Sequence, residues 1–284
     1  IAIHWFRQDL RLTDNPALTA AAQDSRVLPI YIFDNHNAKH HMMGSASRWW
    51  LHHSLESLNA SLGGHLSIYQ GNPQDIIQEL IKRFSVRSIY WNRCYEPWCI
   101  KRDTELKQTL LDQNIQVFSY NASLLWEPKS IHKEDGSPYK VFTPFYRRGC
   151  LNAPSPRTPL AKPQDIQLVS DQTKSCPIAQ LELLPQENWD KQLAQYWKIG
   201  ETGAQERLDQ FIENGIHQYK EGRNFPARPY VSRLSPHLHF GEISPNELWY
   251  TVRELGDHKH IEMGLRTLGN VVHMRFIHDF ENGG

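Results

Sequence analysis

The 284-residue sequence has no excess charge of either sign, with 31 Lys and Arg against 31 Asp and Glu. That balance gives no electrostatic argument for a nucleic-acid or membrane partner, and the 15 histidines add charge only at mildly acidic pH. Long apolar runs are missing as well. With a mean hydropathy of −0.59, no segment approaches the roughly eighteen apolar residues that a bilayer span requires. Cysteine is scarce: Cys94, Cys99, Cys150 and Cys176 form no CxxC pair and are too few to staple a chain this long. This predicts free thiols, a reducing compartment and a cytoplasmic location. The sequence has neither a starting Met nor a basic-then-apolar leader, so it is expected to be a portion of a longer protein.

Several chemical signatures are also lacking. There is no GxGxxG after the first apolar run and no GxxxxGK(S/T), GxSxG or HExxH anywhere, so NAD, P-loop and hydrolytic chemistry lose their usual support. The pairs His40-His41, His52-His53 and His237-x-His239 invite a metal reading. Adjacent helical residues point about 100° apart, however, so His52 and His53 do not easily share one ion, and an HxH without a nearby Cys or carboxylate partner is a weak signal, so no metal site is expected.

What is present is an alternation of short apolar runs with helical patterns. Residues 1–6 read as a strand covered on both faces, and Asn15-Pro16 opens an alanine-rich helix. Residues 27–33 form a second strand whose Pro29 must sit at an edge or at the strand's start. Leu51, Leu55, Leu58 and Leu62 make one stripe of a helix that ends at Gly63-Gly64. Strands at 66–70, 88–91 and 115–120 alternate with helices opened by Pro73 and Pro97. Five strands separated by helices imply parallel pairing with right-handed crossovers, hence an α/β doubly wound sheet. From residue 121 prolines multiply and periodicity fades, which predicts a linker wrapped on the first domain and anchored by Tyr139, Phe142, Phe145 and Tyr146. Helical periodicity returns at Leu208, Phe211, Ile212, Ile216 and Tyr219, and another helix starts near Pro245. The expected domains are 1–125, a linker over 126–200, and a helical unit over 201–284.

Ligands of open parallel sheets collect beyond the carboxyl ends of the strands. The candidate rim is Phe6, Arg7, Asp9, Asp34, Asn35, Gly71, Asn72, Asn92, Arg93 and Asn121. A structural salt-bridge cluster of Arg7, Asp9 and Arg11 is an equally good reading of its first loop. Farther along, Ser232, Arg233 and Ser235 place two hydroxyls, a guanidinium and successive N–H groups in one short turn. That set suits a diphosphate. A helix cap beside a surface Arg would use the same residues, and spacing does not decide between them.

Four segments occur in a telling order: Ile3-His-Trp-Phe-Arg-Gln-Asp-Leu-Arg-Leu-Thr-Asp-Asn-Pro-Ala-Leu18, Trp91-Asn-Arg-Cys-Tyr-Glu-Pro97, Tyr139-Lys-Val-Phe-Thr-Pro-Phe145 and Val231-Ser-Arg-Leu-Ser235. The sequence resembles the DNA photolyase and cryptochrome family, most of all the bacterial class I cyclobutane pyrimidine dimer photolyases, over residues 1 to about 255. The resemblance implies a Rossmann-like α/β antenna domain, a long linker and the beginning of an all-α FAD-binding domain. It implies light-dependent repair of pyrimidine dimers in DNA by electron transfer from excited reduced FAD, with a FAD-binding blue-light photoreceptor as the alternative. Tyr219, Ser232, Arg233, Leu234 and Ser235 would then contact FAD, Val231 standing where the family usually has Thr, and Arg223 would contact the DNA backbone. The folate-contacting Asn-Glu pair of some relatives falls on Trp98-Cys99, so the antenna chromophore, of deazaflavin or folate type, is left open. Where relatives carry a Glu, Trp and Arg stretch that touches flavin and lesion, this chain has Arg266-Thr-Leu-Gly-Asn-Val-Val-His273. A monomer, incomplete in its helical half, is expected.

Overall fold

Strand β1 (Ala2–Phe6) is buried along its whole length because both of its faces are covered. Ala2 and Phe6 enter one apolar cluster, whereas Ile3 and Trp5 enter another on the opposite side. The computed structural model describes residues 1–255, apart from Arg223 and Pro226. Around β1 lie β2 (Val27–Phe33), β3 (Ser67–Gln70), β4 (Ser88–Asn92) and β5 (Gln116–Tyr120), all parallel, in the order β3-β2-β1-β4-β5. The predicted doubly wound α/β sheet is therefore present, with its order reversing between β1 and β4.

Helices α1 (Pro16–Asp24) and α2 (Ser45–Ser61) cover the first face through Leu18, Ala21, Leu51 and Leu55. Helices α3 (Pro73–Phe84) and α4 (Pro97–Asp112) cover the second through Ile77, Leu80, Leu106 and Leu110. The starts of α1 and α3 follow local chemistry: Asn15 Oδ1 accepts from the Leu18 N–H at 3.1 Å and Asn72 Oδ1 from the Gln74 N–H at 3.2 Å, each ahead of a proline. Pro29 stands one residue before the β2–β3 register begins at Ile30. Its missing donor is on the side where Val27 binds Gln167 and Val169, so it falls in a gap between linker and β3 and no ladder bond is lost.

The proline-rich segment divides its packing between two bodies. Leu168 bridges to Val27, and Leu181 and Leu183 join the α2 side of the sheet core. Asp171 ties the segment down: it accepts from Arg83 at 2.8 and 2.7 Å and from the Tyr69 hydroxyl at 2.8 Å. By contrast Leu125, Ile131, Phe145, Tyr146 and Cys150 pack with the helical elements α5 (Glu201–Asn214), α6 (Ser235–Phe240) and α7 (Pro245–Glu254). Trp249 fills this second core against Trp126, with ring centroids 5.2 Å apart. Of the predicted anchors, Phe145 and Tyr146 are buried and Tyr139 is half-buried.

The two bodies meet at the loop after β1. The buried Arg11 guanidinium donates to the carbonyls of Asp14, Ala122 and Gly241 within 2.9 Å, and its Nε donates to Thr13 at 3.0 Å. Glu201 accepts the Leu12 and Thr13 N–H groups. Ser244 donates to Asp14, and the Leu10 N–H to the Phe240 carbonyl at 3.1 Å. This network holds the α6–α7 corner, and the turn before it, against the sheet.

Candidate functional site

Beyond the carboxyl ends of β1, β2 and β4 lies a cavity of about 230 Å³, just below the ~300 Å³ at which ligand pockets usually begin. Arg7, Tyr31, Asp34, Trp98 and Arg102 are on its wall, and Gln180 to Glu182 of the linker close one side. Arg102 is held by Asp34 at 3.0 Å and by Asp103 at 2.8 Å, with its guanidinium 4.8 Å from the Trp5 ring centre and 5.1 Å from that of Trp98. Arg7 donates to Asp103 and to the Asn92 carbonyl. Burial alone would lower the Arg7 pKa, but Asp103 outweighs it and the guanidinium stays charged. Burial likewise drives the Tyr31 phenol well above its ordinary range, so it is a neutral donor here. An aromatic wall with two carboxylate-paired guanidinium groups suits a planar guest.

The predicted rim residues divide. Arg7, Asp34 and Asn35 line the cavity. Asp9, Asn92 and Asn15 instead form a buried polar knot, in which Asn92 Nδ2 donates to Asp9 at 2.6 Å and to Asn15 Oδ1 at 2.7 Å. Asp9 also accepts the Arg7 N–H at 2.6 Å. That knot fixes the loop and is closed to a ligand, whereas the half-exposed Arg93 pairs with Glu127 at 2.5 Å. Asn121 caps its own turn by accepting the Leu124 N–H at 3.0 Å, and Gly71 lines a neighbouring hollow with Cys176. So the structural reading holds for Asp9 and Arg11, while Arg7, itself paired with Asp103, also lines the cavity.

The second candidate is the turn before α6. Arg233 has φ +52°, a left-handed residue followed by a right-handed Leu234. This alternation aims successive N–H groups the same way, a concavity suited to an anion. Arg233 and Ser235 are exposed. Ser232 is buried, and its oxygen faces the Leu234 N–H at 3.5 Å, so it shapes the turn from within. The Leu234 side chain enters the second core, which leaves only its backbone for contact. Tyr219 is buried in a small cluster with Phe211, Ile216 and Val252, against which Val231 packs, and so Tyr219 supports the turn. Ser232, Arg233, Leu234 and Ser235 thus share one turn, and Tyr219 lies in the cluster against which the adjoining Val231 packs. The DNA assignment of Arg223 lies outside the described residues, as does the departure noted at 266–273.

Two side-chain clusters escaped the sequence reading. Glu56 lies between His52 at 3.3 Å and His53 at 3.0 Å, because positions three and four residues on bring a single carboxylate to both rings. Cys94 and Cys99 meet at the cavity wall, where a search for CxxC spacing does not reach.

The family model described as DNA photolyase matches residues 2–164. A deoxyribodipyrimidine photo-lyase of Agrobacterium fabrum is 40% identical over 90% of this chain and 54% of its own length. Cryptochrome-1 of Arabidopsis thaliana is 34% identical over 89% of this chain and 38% of its own. The crystal structure of a bacterial class III photolyase from Agrobacterium tumefaciens superposes with a TM-score of 0.89 at 37% identity, covering 98% of this chain and 58% of that one. The chain therefore spans 54% and 38% of the lengths of the two named relatives, and the class named in that structure is III, where the motifs alone leaned toward class I.

Proposed function

The chain belongs to the DNA photolyase family, and from that premise we propose that it forms part of an enzyme for light-driven repair of cyclobutane pyrimidine dimers in DNA. The observation that carries this reading is the left-handed Arg233 turn, whose alternating backbone and exposed Ser235 hydroxyl make a donor set for a diphosphate. The donor chemistry fits FAD. Arg233 adds a guanidinium fork and Ser235 a hydroxyl, and Leu234 anchors the turn through its side chain in the core. Ser232 and Tyr219 hold the turn in shape from behind. The chemistry that FAD supplies when bound is electron donation on blue-light excitation, so the chain needs no acid–base pair of its own.

The remaining assignments follow from the same reading. Arg223 takes a phosphate of the DNA backbone, as guanidinium groups do where a strand must be positioned. The rim cavity takes an antenna chromophore, for which Trp98 and the paired guanidinium groups of Arg7 and Arg102 provide flat stacking surfaces. The sheet and the linker supply its rigid frame.

The test is an oligonucleotide carrying one thymine dimer, mixed with reduced, flavin-loaded protein in blue light and in the dark. Dimer loss in light alone is the expected result, and Arg233→Ala abolishes it together with flavin retention. The 34% identity with a cryptochrome over 89% of the chain favours a second reading, a flavin photoreceptor. Retained flavin with intact dimers under the same light would select it.

A further inference from the structure

Cys94 and Cys99 lie on the wall of the rim cavity, one in the loop after β4 and the other in the first turn of α4. The turn into α4 folds the loop back, so that the two sulfurs lie within 4.8 Å of each other. Both residues are nearly closed to bulk solvent, yet both face the cavity, which gives a small molecule a route to them. We propose that Cys94 and Cys99 are a redox-active dithiol, oxidised in place to a disulfide by a small hydroperoxide such as hydrogen peroxide that enters the rim cavity.

The surroundings favour this chemistry. The neighbouring Cys99 thiol, opposed by burial, Glu96 and Asp103 and assisted by the Arg7 guanidinium, lowers the Cys94 pKa and makes it the more readily ionised of the pair. The thiolate is the attacking species in sulfur chemistry. Cys150 is the contrast, since burial pushes its thiol up to about 12. Glu96 also reaches the two sulfurs, as a metal set would require. Two guanidinium charges bear on the sulfurs, Arg7 on Cys94 and Arg102 on Cys99, and these oppose a cation while stabilising a thiolate.

The steps balance. Cys94 Sγ attacks one peroxide oxygen, the O–O bond breaks, and the departing hydroxide takes up a proton to leave as water. Cys94 is then a sulfenic acid. Cys99 Sγ attacks the Cys94 sulfur, the S–S bond forms, and the hydroxyl leaves with the proton of the Cys99 thiol as a second water. Peroxide gains the two electrons that the two thiols lose. The closure from a separation within 4.8 Å to a bond of about 2.05 Å takes side-chain rotation and a small shift of the connecting loop.

Trypsin would cut after Arg93 and Lys101, so both sulfurs fall on one peptide, residues 94–101. The folded chain is treated with hydrogen peroxide, denatured, blocked with iodoacetamide and digested. The expected peptide 94–101 is unalkylated and lighter by two hydrogen atoms, and dithiothreitol restores its alkylation, while Cys150 and Cys176 stay alkylated. In Cys99→Ser, peroxide leaves a sulfenic acid on Cys94 that dimedone captures; in Cys94→Ser, Cys99 gives no adduct. Alkylation of both cysteines after peroxide, or closure no faster in the folded chain than in urea, would overturn the proposal.

Discussion

Gly241 ends α6 at the point where the helical elements touch the loop after β1, and replacing it with alanine tests that junction directly. Its φ is +69°, and a Cβ there would stand 2.5 Å from Asp9 Cα and closer still to the Gln8 carbonyl oxygen. A left-handed alanine costs about 1–2 kcal/mol. The second contribution comes from contact with backbone, which no side-chain rotation relieves; overpacking of this kind costs about 1–3 kcal/mol. Together they give a loss of about 2–5 kcal/mol for Gly241→Ala, a large part of the ~5–15 kcal/mol that domains possess. Gly64 has φ +82° with nothing within 4 Å of its Cβ position, so Gly64→Ala shows the left-handed cost alone. Urea unfolding followed by tryptophan fluorescence and far-ultraviolet dichroism measures both variants. If Gly241→Ala falls within about 0.5 kcal/mol of Gly64→Ala, the packing of α6 on the loop is refuted.

Other variants probe separate links. Burial alone would raise the Asp171 pKa, but Arg83, two backbone N–H groups and Tyr69 together hold it well below the usual carboxylate range. Its contribution is therefore complete above about pH 4 and disappears on acidification. Asp171→Asn should lose about 2–4 kcal/mol at pH 7 and progressively less as pH falls below about 4, read from urea midpoints. His4 is fully buried and, through desolvation, titrates near 4 in the folded chain. An unfolded value of about 6.5 means that the native state binds fewer protons between those limits, so stability falls by up to about 3 kcal/mol as pH drops through them. His4→Leu should remove that slope; an unchanged slope contradicts the assignment. Leu208→Ala opens the second core and should cost about 2–5 kcal/mol by the same unfolding assay, whereas a change below about 1 kcal/mol would mean that α5 is loosely packed.

The sheet was legible because each of its determinants is local. Apolar runs of strand length, proline at helix starts, and the leucine stripe of α2 each report on a few neighbouring residues, and five repetitions leave little freedom in the topology. The proline-rich segment was not legible in the same way. Its division between sheet core and helical core depends on partners such as Asp171 with Arg83, 88 residues apart, which no periodicity reveals. At the rim, spacing could place Asp9 and Asn92 beyond the strand ends but could not show that they bond to each other. The Arg233 turn was legible as a donor set, because its residue types carry the chemistry. That Ser232 faces inward was not, since burial depends on how α6 seats against the core.

The central claim is that the Arg233 turn grips the diphosphate of FAD. Titration of the chain with FAD and with riboflavin, followed by flavin fluorescence, separates grip on the diphosphate from stacking on the ring. The account expects FAD to bind at least about tenfold more tightly, equivalent to about 1.4 kcal/mol, and Arg233→Ala to erase the difference. Equal affinity for the two flavins, or an unchanged preference in Arg233→Ala, would contradict it.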